Sequence, residues 1–358
     1  MSRVTVIAEA GVNHNGSPEL ALQLVAAAAD AGADYVKFQT FRAESLVTRS
    51  AATAQYQAAA TGDASQFEML RRLELSVEAH HEVVAACRER GIGFISTPFD
   101  SASLRLLVDE IGVALLKIGS GDLTNAPLLL ESARSQKPVI LSTGMGTLGD
   151  IELALGVLAF GYIGGGEPSL DAFRRAYASA EGGEALRANV TLLQCTSEYP
   201  CVPEHVNLRA MDTLREAFGL ATGFSDHTVG LAVPIAAAAR GAAVIEKHFT
   251  LDKSLPGPDH KASLAPGELK AMVAAIREVE LALGSARKLP TDTELATAAV
   301  ARRSLVALEP IARGTAFTHA NIGAKRPGTG LSPFELWEWI GRTADRDYDA
   351  DELLGTRS

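Results

Sequence analysis

The stretch AAVIEKHF, residues 242–249, decides the fold, because it begins like a buried strand and ends in charged residues. Its apolar start is typical of a strand in a hydrophobic core. Its end places Glu246, Lys247 and His248 in succession, and three ionisable groups are costly to bury without partners. The role of these three residues depends on which other side chains of the protein lie next to them.

Short apolar runs of the same kind recur along the chain, separated by segments with apolar residues at helical spacing. Strands that alternate with helices predict a parallel sheet. Eight such units within about 280 residues predict a (β/α)8 TIM barrel. A doubly wound sheet is the alternative, although the first strand lacks the GxGxxG of a dinucleotide-binding form. The predicted strands are 4–11, 35–40, 93–99, 115–121, 138–144, 190–197, 221–227 and 242–249.

The pattern changes after about residue 285, where short strand-like runs and Gly/Pro turns replace the alternation. We therefore predict a barrel domain over residues 1–285, a linker over 286–300, and a small, mostly β domain over 301–358. Its roughly 60 residues are too few for a large core. Within the barrel, residues 41–75 exceed what a helix needs and predict a long loop that shapes the active site.

Composition and charge exclude several functional classes. The 358 residues are 47% hydrophobic and 21% charged, which is typical of a soluble globular protein. A net charge of -10 argues against nucleic acid as a partner, and an anionic substrate would need a local basic pocket. We expect neither a signal peptide nor a membrane-spanning segment, because the N-terminal residues lack a basic region before an apolar core and no apolar stretch is long enough to span a bilayer. Three cysteines without metal-type spacing indicate free thiols and a cytoplasmic location.

Polar residues gather at the predicted carboxyl ends of the strands, where barrel enzymes place their chemistry. Strand alternation puts Ser225 and His227 on one face of the seventh strand, and Glu246 and His248 on one face of the eighth. Two histidines on successive strands can hold a divalent metal and leave positions open for water and substrate. Two lysines with several hydroxyls can cradle phosphate or carboxylate. The other strand-end residues are Glu9, Lys37, Gln39, Thr97, Lys117, Ser120 and Ser142.

Each neighbour of His248 has two alternative roles. Glu246 is either a catalytic carboxylate or a residue that orients His248. Lys247 points the opposite way and is expected to be a solvated surface residue, or an ion-pair partner on the helix side.

Ten segments, in order, resemble the sialic acid synthase family. They include IAEAGVNHNG at 7–16, GFSDHTVG at 223–230 and VIEKHFTLD at 244–252, and the resemblance covers essentially the whole chain. Its C-terminal part resembles the antifreeze-like (SAF) domain of the same enzymes. The resemblance implies condensation of phosphoenolpyruvate with an open-chain N-acylhexosamine to give a nonulosonic acid and phosphate. The other segments are YVKFQT, STPFD, LKIGSGD, LSTGM, LLQCTSEYP, GPDHKASL and KRPGTG.

The resemblance also implies roles for individual residues. His227 and His248 match two ligands of a metal, expected to be Mn²⁺ with Mg²⁺ or Co²⁺ as alternatives, and Glu9 is the candidate for proton transfer. Arg326 matches an arginine that enters the partner's barrel in a domain-swapped homodimer. Asn13 and His14 belong to the matching segments, but the resemblance gives them no specific role at the site. A loop-shaping role is the alternative. Residues matching the phosphoenolpyruvate site are Lys37, Thr97, Lys117, Ser120, Ser142, Ser197 and Ser225, and those matching the sugar site are Gln39, Tyr199, Asp259 and Arg326.

The identity of the sugar stays open at this level. N-acetylmannosamine is the first expectation, a 2,4-diacetamido-trideoxyhexose the second, and N-acetylmannosamine 6-phosphate the third. Ala60 and Ser197 stand where related enzymes often carry Asn, and the first of these Asn residues faces the sugar. Rival functions are a phosphoenolpyruvate aldol synthase for a pentose or tetrose phosphate, a Schiff-base aldolase using Lys117, and a non-enzymatic protein whose small domain binds ice or glycan.

Overall fold

Eight parallel strands form the sheet of the first part of the chain. They are β1 (Thr5–Gly11), β2 (Tyr35–Thr40), β3 (Gly93–Pro98), β4 (Leu116–Ile118), β5 (Val139–Ser142), β6 (Val190–Cys195), β7 (Ala221–Asp226) and β8 (Val244–His248). The structure is a computed structural model that describes residues 3–49, 51, 65–164 and 166–355. The strands pair in the order β3-β2-β1-β8-β7-β6-β5-β4, and the two end strands are also in contact. The sheet is therefore closed, and the predicted TIM barrel is confirmed.

Helices surround the barrel, and local sequence sets their ends. The Ser17 hydroxyl caps the first helix, and Gly91 ends the long helix before β3 in a left-handed conformation. The helices are α1 (Pro18–Asp30), α2 (Ala43–Leu46), α3 (Gln66–Arg72), α4 (Val77–Arg90), α5 (Ser101–Arg105), α6 (Ala126–Arg134), α7 (Leu148–Ile163), α8 (Leu170–Ala178), α9 (Ala180–Asn189), α10 (Arg209–Phe218), α11 (Ala232–Ala239) and α12 (Pro266–Leu283), with a π-helical turn Leu106–Ile111 and 3₁₀ turns Ser120–Asp122, Pro203–His205 and His260–Ala262.

The predicted long loop over residues 41–75 is not structureless. Helices α2 and α3 lie within it, and residues 50 and 52–64, including Ala60, fall outside the described part. A difference also appears between β5 and β6, where the chain adds α8 and α9 after the expected helix α7. Alternation of strand and helix predicts the order of the repeating units, but it does not reveal helices inserted between them.

The barrel interior changes from apolar to polar along the strands. A buried apolar layer contains Ile7, Ile95, Ile140, Leu193 and Val244. Because side chains two positions apart share a face, the next inward residue on each strand is polar. These residues, two positions further on, are Glu9, Thr97, Ser142, Cys195 and Glu246.

The opposite, amino-terminal end of the barrel is held by Arg277 of α12. Its guanidinium donates to the backbone oxygen of Val4 at 2.7 Å and to Asp34 Oδ2 at 2.6 Å. Asp34 in turn accepts a hydrogen bond from the backbone of Val6 at 2.8 Å. This network fixes the start of β1 far from the polar strand ends.

The remaining residues form a second unit, 285–358, with a core of its own. It contains helix α13 (Asp292–Ala301), strands β9 (Ser304–Ala307) and β10 (Ile322–Lys325) in an antiparallel pair, a 3₁₀ turn Pro333–Glu335, and α14 (Leu336–Trp339). Leu305, Ile311 and Phe317 are among its buried residues. The predicted linker segment, whose sequence KLPTDTELATAAV also indicates a short helix, contains most of α13, and Thr291 and Glu294 cap its first turn.

Two further expectations concern cysteines and membranes. Cys87, Cys195 and Cys201 are free, as predicted, and all three are buried. Among the described residues, no helix combines the length and apolarity needed to cross a bilayer.

Candidate active site

Four buried charged side chains occupy the polar end of the barrel. Lys37 Nζ lies 2.7 Å from Glu9 Oε2 and 3.6 Å from Glu246 Oε2, and Lys117 Nζ lies 3.9 Å from Glu246 Oε1. All four side chains are almost entirely buried. Removing any one of them would leave a buried charge without compensation, which is costly. We call these four residues the charge cluster.

The environment gives the members of the charge cluster different proton affinities. Burial raises the pKa of Glu9 above its usual range, and Lys37 only partly opposes this effect. Burial also acts on Glu246, but Lys117 and Lys37 outweigh it and hold the pKa of Glu246 well below its usual range. Burial lowers the pKa of Lys117, whereas the carboxylates of Glu246 and Glu9 outweigh burial and raise the pKa of Lys37. Glu9 is therefore the carboxyl that gains a proton most easily.

Hydroxyl and amide groups hold the charge cluster in place. Lys37 Nζ donates to Thr97 Oγ1 at 3.2 Å, and Ser225 Oγ donates to Glu246 Oε1 at 2.8 Å. Gln39 Nε2 donates to Glu9 Oε1 at 3.3 Å. Glu246 thus contacts the two lysines and Ser225. In the described part of the chain, no hydrogen bond joins Glu246 to His248.

A second group of small polar side chains converges around Gly144, after β5. A Cβ atom on Gly144 would lie 2.6 Å from Ser197 Oγ, 2.8 Å from Ser120 Oγ and 2.9 Å from Cys195 Sγ. The Gly144 backbone N–H donates to Ser120 Oγ at 3.0 Å. Only glycine fits at this close approach.

Lys117 connects the charge cluster to a hydroxyl group at the end of β5. Its Nζ donates to Ser142 Oγ at 2.7 Å and to the backbone oxygen of Ile118 at 3.0 Å. A lysine among hydroxyls and backbone N–H groups can bind a phosphate or carboxylate with charge-assisted hydrogen bonds.

The two predicted histidine ligands lie side by side. The ring centroids of His227 and His248 are 5.6 Å apart, and the Tyr199 ring lies 4.0 Å from that of His227. His227 Nδ1 lies 2.6 Å from the backbone oxygen of Thr196, so it donates and leaves Nε2 as an acceptor. Burial lowers the pKa of both histidines, which keeps them neutral at pH 7.

These donors fit a divalent metal ion. His248 Nδ1 is buried and has no hydrogen-bond partner among the described residues, and an imidazole nitrogen in that state is a ready ligand. Asp259 Oδ2 lies 3.8 Å from the same nitrogen. Within the described ranges, no group of three or more His, Cys, Asp and Glu side chains forms a complete metal site. A metal held by His227 and His248 would therefore need water or substrate as further ligands.

One protein-family model matches most of the chain, and a second matches its C-terminal part. The NeuB family model matches residues 24–288, and the SAF domain model matches residues 302–356. The chain belongs to the NeuB family. N,N'-diacetyllegionaminic acid synthase from Campylobacter jejuni is 44% identical over 99% of both chains. The enzyme of the same name from Legionella pneumophila is 43% identical and covers 98% of this chain and 92% of its own.

A solved structure extends the relationship to three dimensions. The N-acetylneuraminic acid (sialic acid) synthetase from Leptospira borgpetersenii, in complex with citrate, superposes with a TM-score of 0.67. It is 32% identical, and the match covers 83% of this chain and 90% of that one. The family resemblance predicted from the sequence is therefore confirmed.

The structure of this NeuB family member brings the predicted residues of the barrel to one end of it. Arg326 is the exception, because it belongs to the second unit, where it is exposed after β10. The residues that lie together are Glu9, Lys37, Gln39, Thr97, Lys117, Ser120, Ser142, Ser197, Tyr199, Ser225, His227, His248 and Asp259.

One expectation about a neighbouring residue is wrong. Lys247 is not solvated: its side chain is fully buried and its Nζ lies 2.6 Å from Asp226 Oδ2. The alternative expectation, an ion pair on the outer side of the strand, is confirmed. Sequence alternation gives the direction of Lys247 but not its burial, which depends on the helices packed outside β7 and β8.

The NHNG segment, residues 13–16, holds the loop that carries Asp259. Asn13 Nδ2 donates to the backbone oxygen of Phe249 at 2.8 Å and to Ser263 Oγ at 2.9 Å. Ser263 Oγ donates to the backbone oxygen of Asp259 at 2.7 Å. From the sequence, a loop-shaping role is the alternative for Asn13 and agrees with these hydrogen bonds, whereas Cys195 is expected only as a free thiol. The position of each at a strand end was the available signal.

His14 makes the stability of this region depend on pH. Burial, with smaller effects from His80 and His260, lowers the pKa of His14 to about 4, and its Nδ1 accepts from the Gly16 backbone at 3.0 Å. As pH falls from about 6.5 to about 4, the unfolded chain binds a proton that the folded chain excludes. We expect this to cost about 2 to 3 kcal/mol of stability between pH 7.5 and 4.5.

His14→Gln isolates that effect, since glutamine keeps an acceptor and does not titrate. Burial raises the pKa of Glu9 and Asp259, so they contribute with the opposite sign, and only the difference between variant and wild type is diagnostic. Urea unfolding at several pH values should show wild type losing more stability than His14→Gln on acidification. A pH-independent difference would contradict a buried, neutral His14.

Proposed function

We propose that this NeuB family member is a nonulosonic acid synthase that joins phosphoenolpyruvate to an open-chain N-acylhexosamine. C3 of phosphoenolpyruvate forms a bond to the aldehyde carbon of the sugar, water adds at C2, and phosphate leaves from C2. The observation that carries the proposal is the placement of two buried lysines and several hydroxyls beside two neutral imidazoles at one barrel end. The named activities of the relatives support the same reaction class.

Phosphoenolpyruvate would bind at Lys37 and Lys117. The protein has a net charge of -10, so only a local concentration of positive charge can attract this anion. Of the two lysines, Lys117 would be stabilised most by the anion. Burial already lowers the pKa of Lys117, and a bound negative charge would favour its protonated form. Ser120, Ser142 and Ser197 would donate to the phosphate or carboxylate oxygens.

The sugar would bind across the histidine side of the barrel mouth. Tyr199 offers a ring face beside His227, and Gln39 and Asp259 offer hydrogen-bonding groups for hydroxyl or acetamido groups. Glu9 would transfer a proton near the new bond, because its raised pKa lets it both hold and release one near neutral pH.

His227 and His248 would hold a divalent cation, proposed to be Mn²⁺. When bound, such an ion polarises a carbonyl as a Lewis acid. The protein's own part is to keep both imidazoles neutral by burial and to direct the free nitrogen of His227 through the Thr196 carbonyl.

We propose a 2,4-diacetamido-trideoxyhexose as the sugar, giving a legionaminate-type product. Two relatives named as N,N'-diacetyllegionaminic acid synthases share 44% and 43% identity over nearly the whole chain. N-acetylmannosamine is the second candidate, supported by the superposition on a sialic acid synthetase.

A panel of sugars tests the function directly. The purified protein is incubated with phosphoenolpyruvate, Mn²⁺ and one sugar, and phosphate release and product mass are measured. We expect the diacetamido sugar to react at least tenfold faster, by kcat/KM, than N-acetylmannosamine or its 6-phosphate, a ratio within reach of pocket contacts. EDTA should abolish turnover and Mn²⁺ restore it. Turnover with none of these sugars, or full activity in metal-free protein, would contradict the proposal.

Lys117→Met tests the assignment of the anion site. Loss of a charge-assisted contact should raise KM for phosphoenolpyruvate roughly 10- to 100-fold and change KM for the sugar little. Lys270→Met is the matched control, because it removes the same charge from the exposed surface of α12. If only the sugar KM changed, the division of the pocket would be wrong.

We further propose that the active unit is a domain-swapped homodimer in which Arg326 enters the partner's barrel. Arg326 is exposed, and the same unit exposes Phe334 and Trp337, at 90% and 72%, as expected of a surface that another chain covers. A guanidinium can form paired hydrogen bonds with sugar or acyl oxygens.

Mixing two inactive chains tests this assembly. Arg326→Ala and His248→Ala homodimers should each have little activity. After subunit exchange, one site of each mixed dimer combines an intact barrel with an intact Arg326, so activity should return. Absence of complementation, with exchange verified by native mass spectrometry, would show that Arg326 does not act across subunits.

A further inference from the structure

Lys247 and Asp226 form an ion pair outside the barrel wall, where β7 and β8 end. Their side chains are 0% exposed, and the two residues are partners in the register of these strands. The pair points away from the charge cluster, since Lys247 alternates with Glu246 and His248. The proposed reaction gives it no part.

The ion pair contacts the residues that precede and follow His227 in the sequence. Lys247 Nζ donates both to Asp226 Oδ2, just before His227, and to the backbone oxygen of Thr228, just after it. Asp226 also accepts from the Thr228 backbone N–H at 2.9 Å and from its hydroxyl at 3.2 Å. The residues on both sides of His227 are therefore bound to a single ammonium group, Asp226 through its carboxylate and Thr228 through its backbone oxygen.

The same ammonium group belongs to the residue before His248. The two imidazoles thus stand on neighbouring strand ends that one ion pair joins from behind. The His227 ring has a further constraint at Thr196, whereas His248 Nδ1 has no hydrogen-bond partner among the described residues. The backbone of His248 is also held by Leu264 and by β1, and the ion pair adds the side-chain link from its strand end to that of His227.

Fold stability alone is a weak reason for such a pair. Two buried charges lose their hydration, and well-packed apolar residues of similar volume are often at least as stabilising. A fixed hydrogen-bonding geometry is what apolar replacements cannot supply.

We propose that the Lys247–Asp226 ion pair is a positioning device that sets the separation and orientation of His227 and His248. This inference rests on the proposed metal-binding role of the two histidines. Neither Lys247 nor Asp226 contacts substrate or metal, and both act through the strand ends that they join.

The experiment compares Lys247→Met, Asp226→Asn and the double variant Lys247→Met/Asp226→Leu. Mn²⁺ dissociation constants are measured by electron paramagnetic resonance on protein without substrates, and stability is measured by urea unfolding. The single variants should weaken Mn²⁺ binding about 10- to 100-fold, the range for residues that orient metal ligands. The double variant should recover stability relative to Lys247→Met, but not Mn²⁺ affinity.

Arg277→Met is the matched control, because it breaks an ion pair with Asp34 at the opposite end of the barrel. It should lower stability and leave Mn²⁺ affinity unchanged. In steady-state kinetics, the Lys247 and Asp226 variants should lower kcat while KM for phosphoenolpyruvate changes less than about threefold, since the anion site is intact.

A folded double variant with wild-type Mn²⁺ affinity would overturn the inference and leave the pair as a stability element. If Lys247→Met fails to fold, Asp226→Asn carries the same test, because it preserves volume but replaces one of the two acceptor oxygens of Asp226 by an NH2 donor. Failure of the underlying metal proposal is distinguishable, since His227→Ala and His248→Ala would then also bind Mn²⁺ like wild type.

Discussion

The mutual compensation of the charge cluster, Glu9, Lys37, Lys117 and Glu246, is the interaction on which the rest of the structure depends. These charges lie inside the barrel, where each is costly unless opposite charges lie close by. Compensation requires a particular strand register, with Glu9 opposite Lys37 on β1 and β2. A shift of one residue on β8 would turn Glu246 outward and expel it from the cluster. Register and charge balance are therefore one constraint.

The charge cluster can also change its net charge. With both carboxylates ionised, two negative charges match two positive ones, and an incoming anion would meet no net attraction. Burial raises the pKa of Glu9 to about 7, so a proton on Glu9 is accessible near neutrality and leaves a net positive charge. Glu246 stays ionised, because Lys117 and Lys37 outweigh its burial. One carboxylate thus holds the lysines in place, and the other adjusts the charge of the pocket.

Strand alternation accounts for how much of this the sequence predicts. Period-two patterns place the inward residues of eight strands, and parallel strands bring their ends to one edge of the barrel. What the sequence leaves out involves contacts between distant loops. Ser120, Cys195 and Ser197 converge on Gly144 from three separate strand ends. The hydrogen bond from Asn13 to Ser263 joins residues near the beginning and the end of the barrel domain's sequence. No local pattern encodes such pairings.

The order Glu-Lys-His at the end of β8 then has a physical reading. Alternation directs Glu246 and His248 into the barrel, two residues apart along the strand. Glu246 therefore contacts the two lysines, whereas His248 contacts Tyr199 and His227. Lys247, between them, faces outward, where it needs a partner and has one in Asp226. An apolar residue at 247 could match the volume of the lysine, but it would leave Asp226 buried without its ion-pair partner. Three consecutive ionisable residues are tolerated at one buried strand end because Glu246 and Lys247 each meet opposite charges on different sides of the strand, and burial keeps His248 neutral.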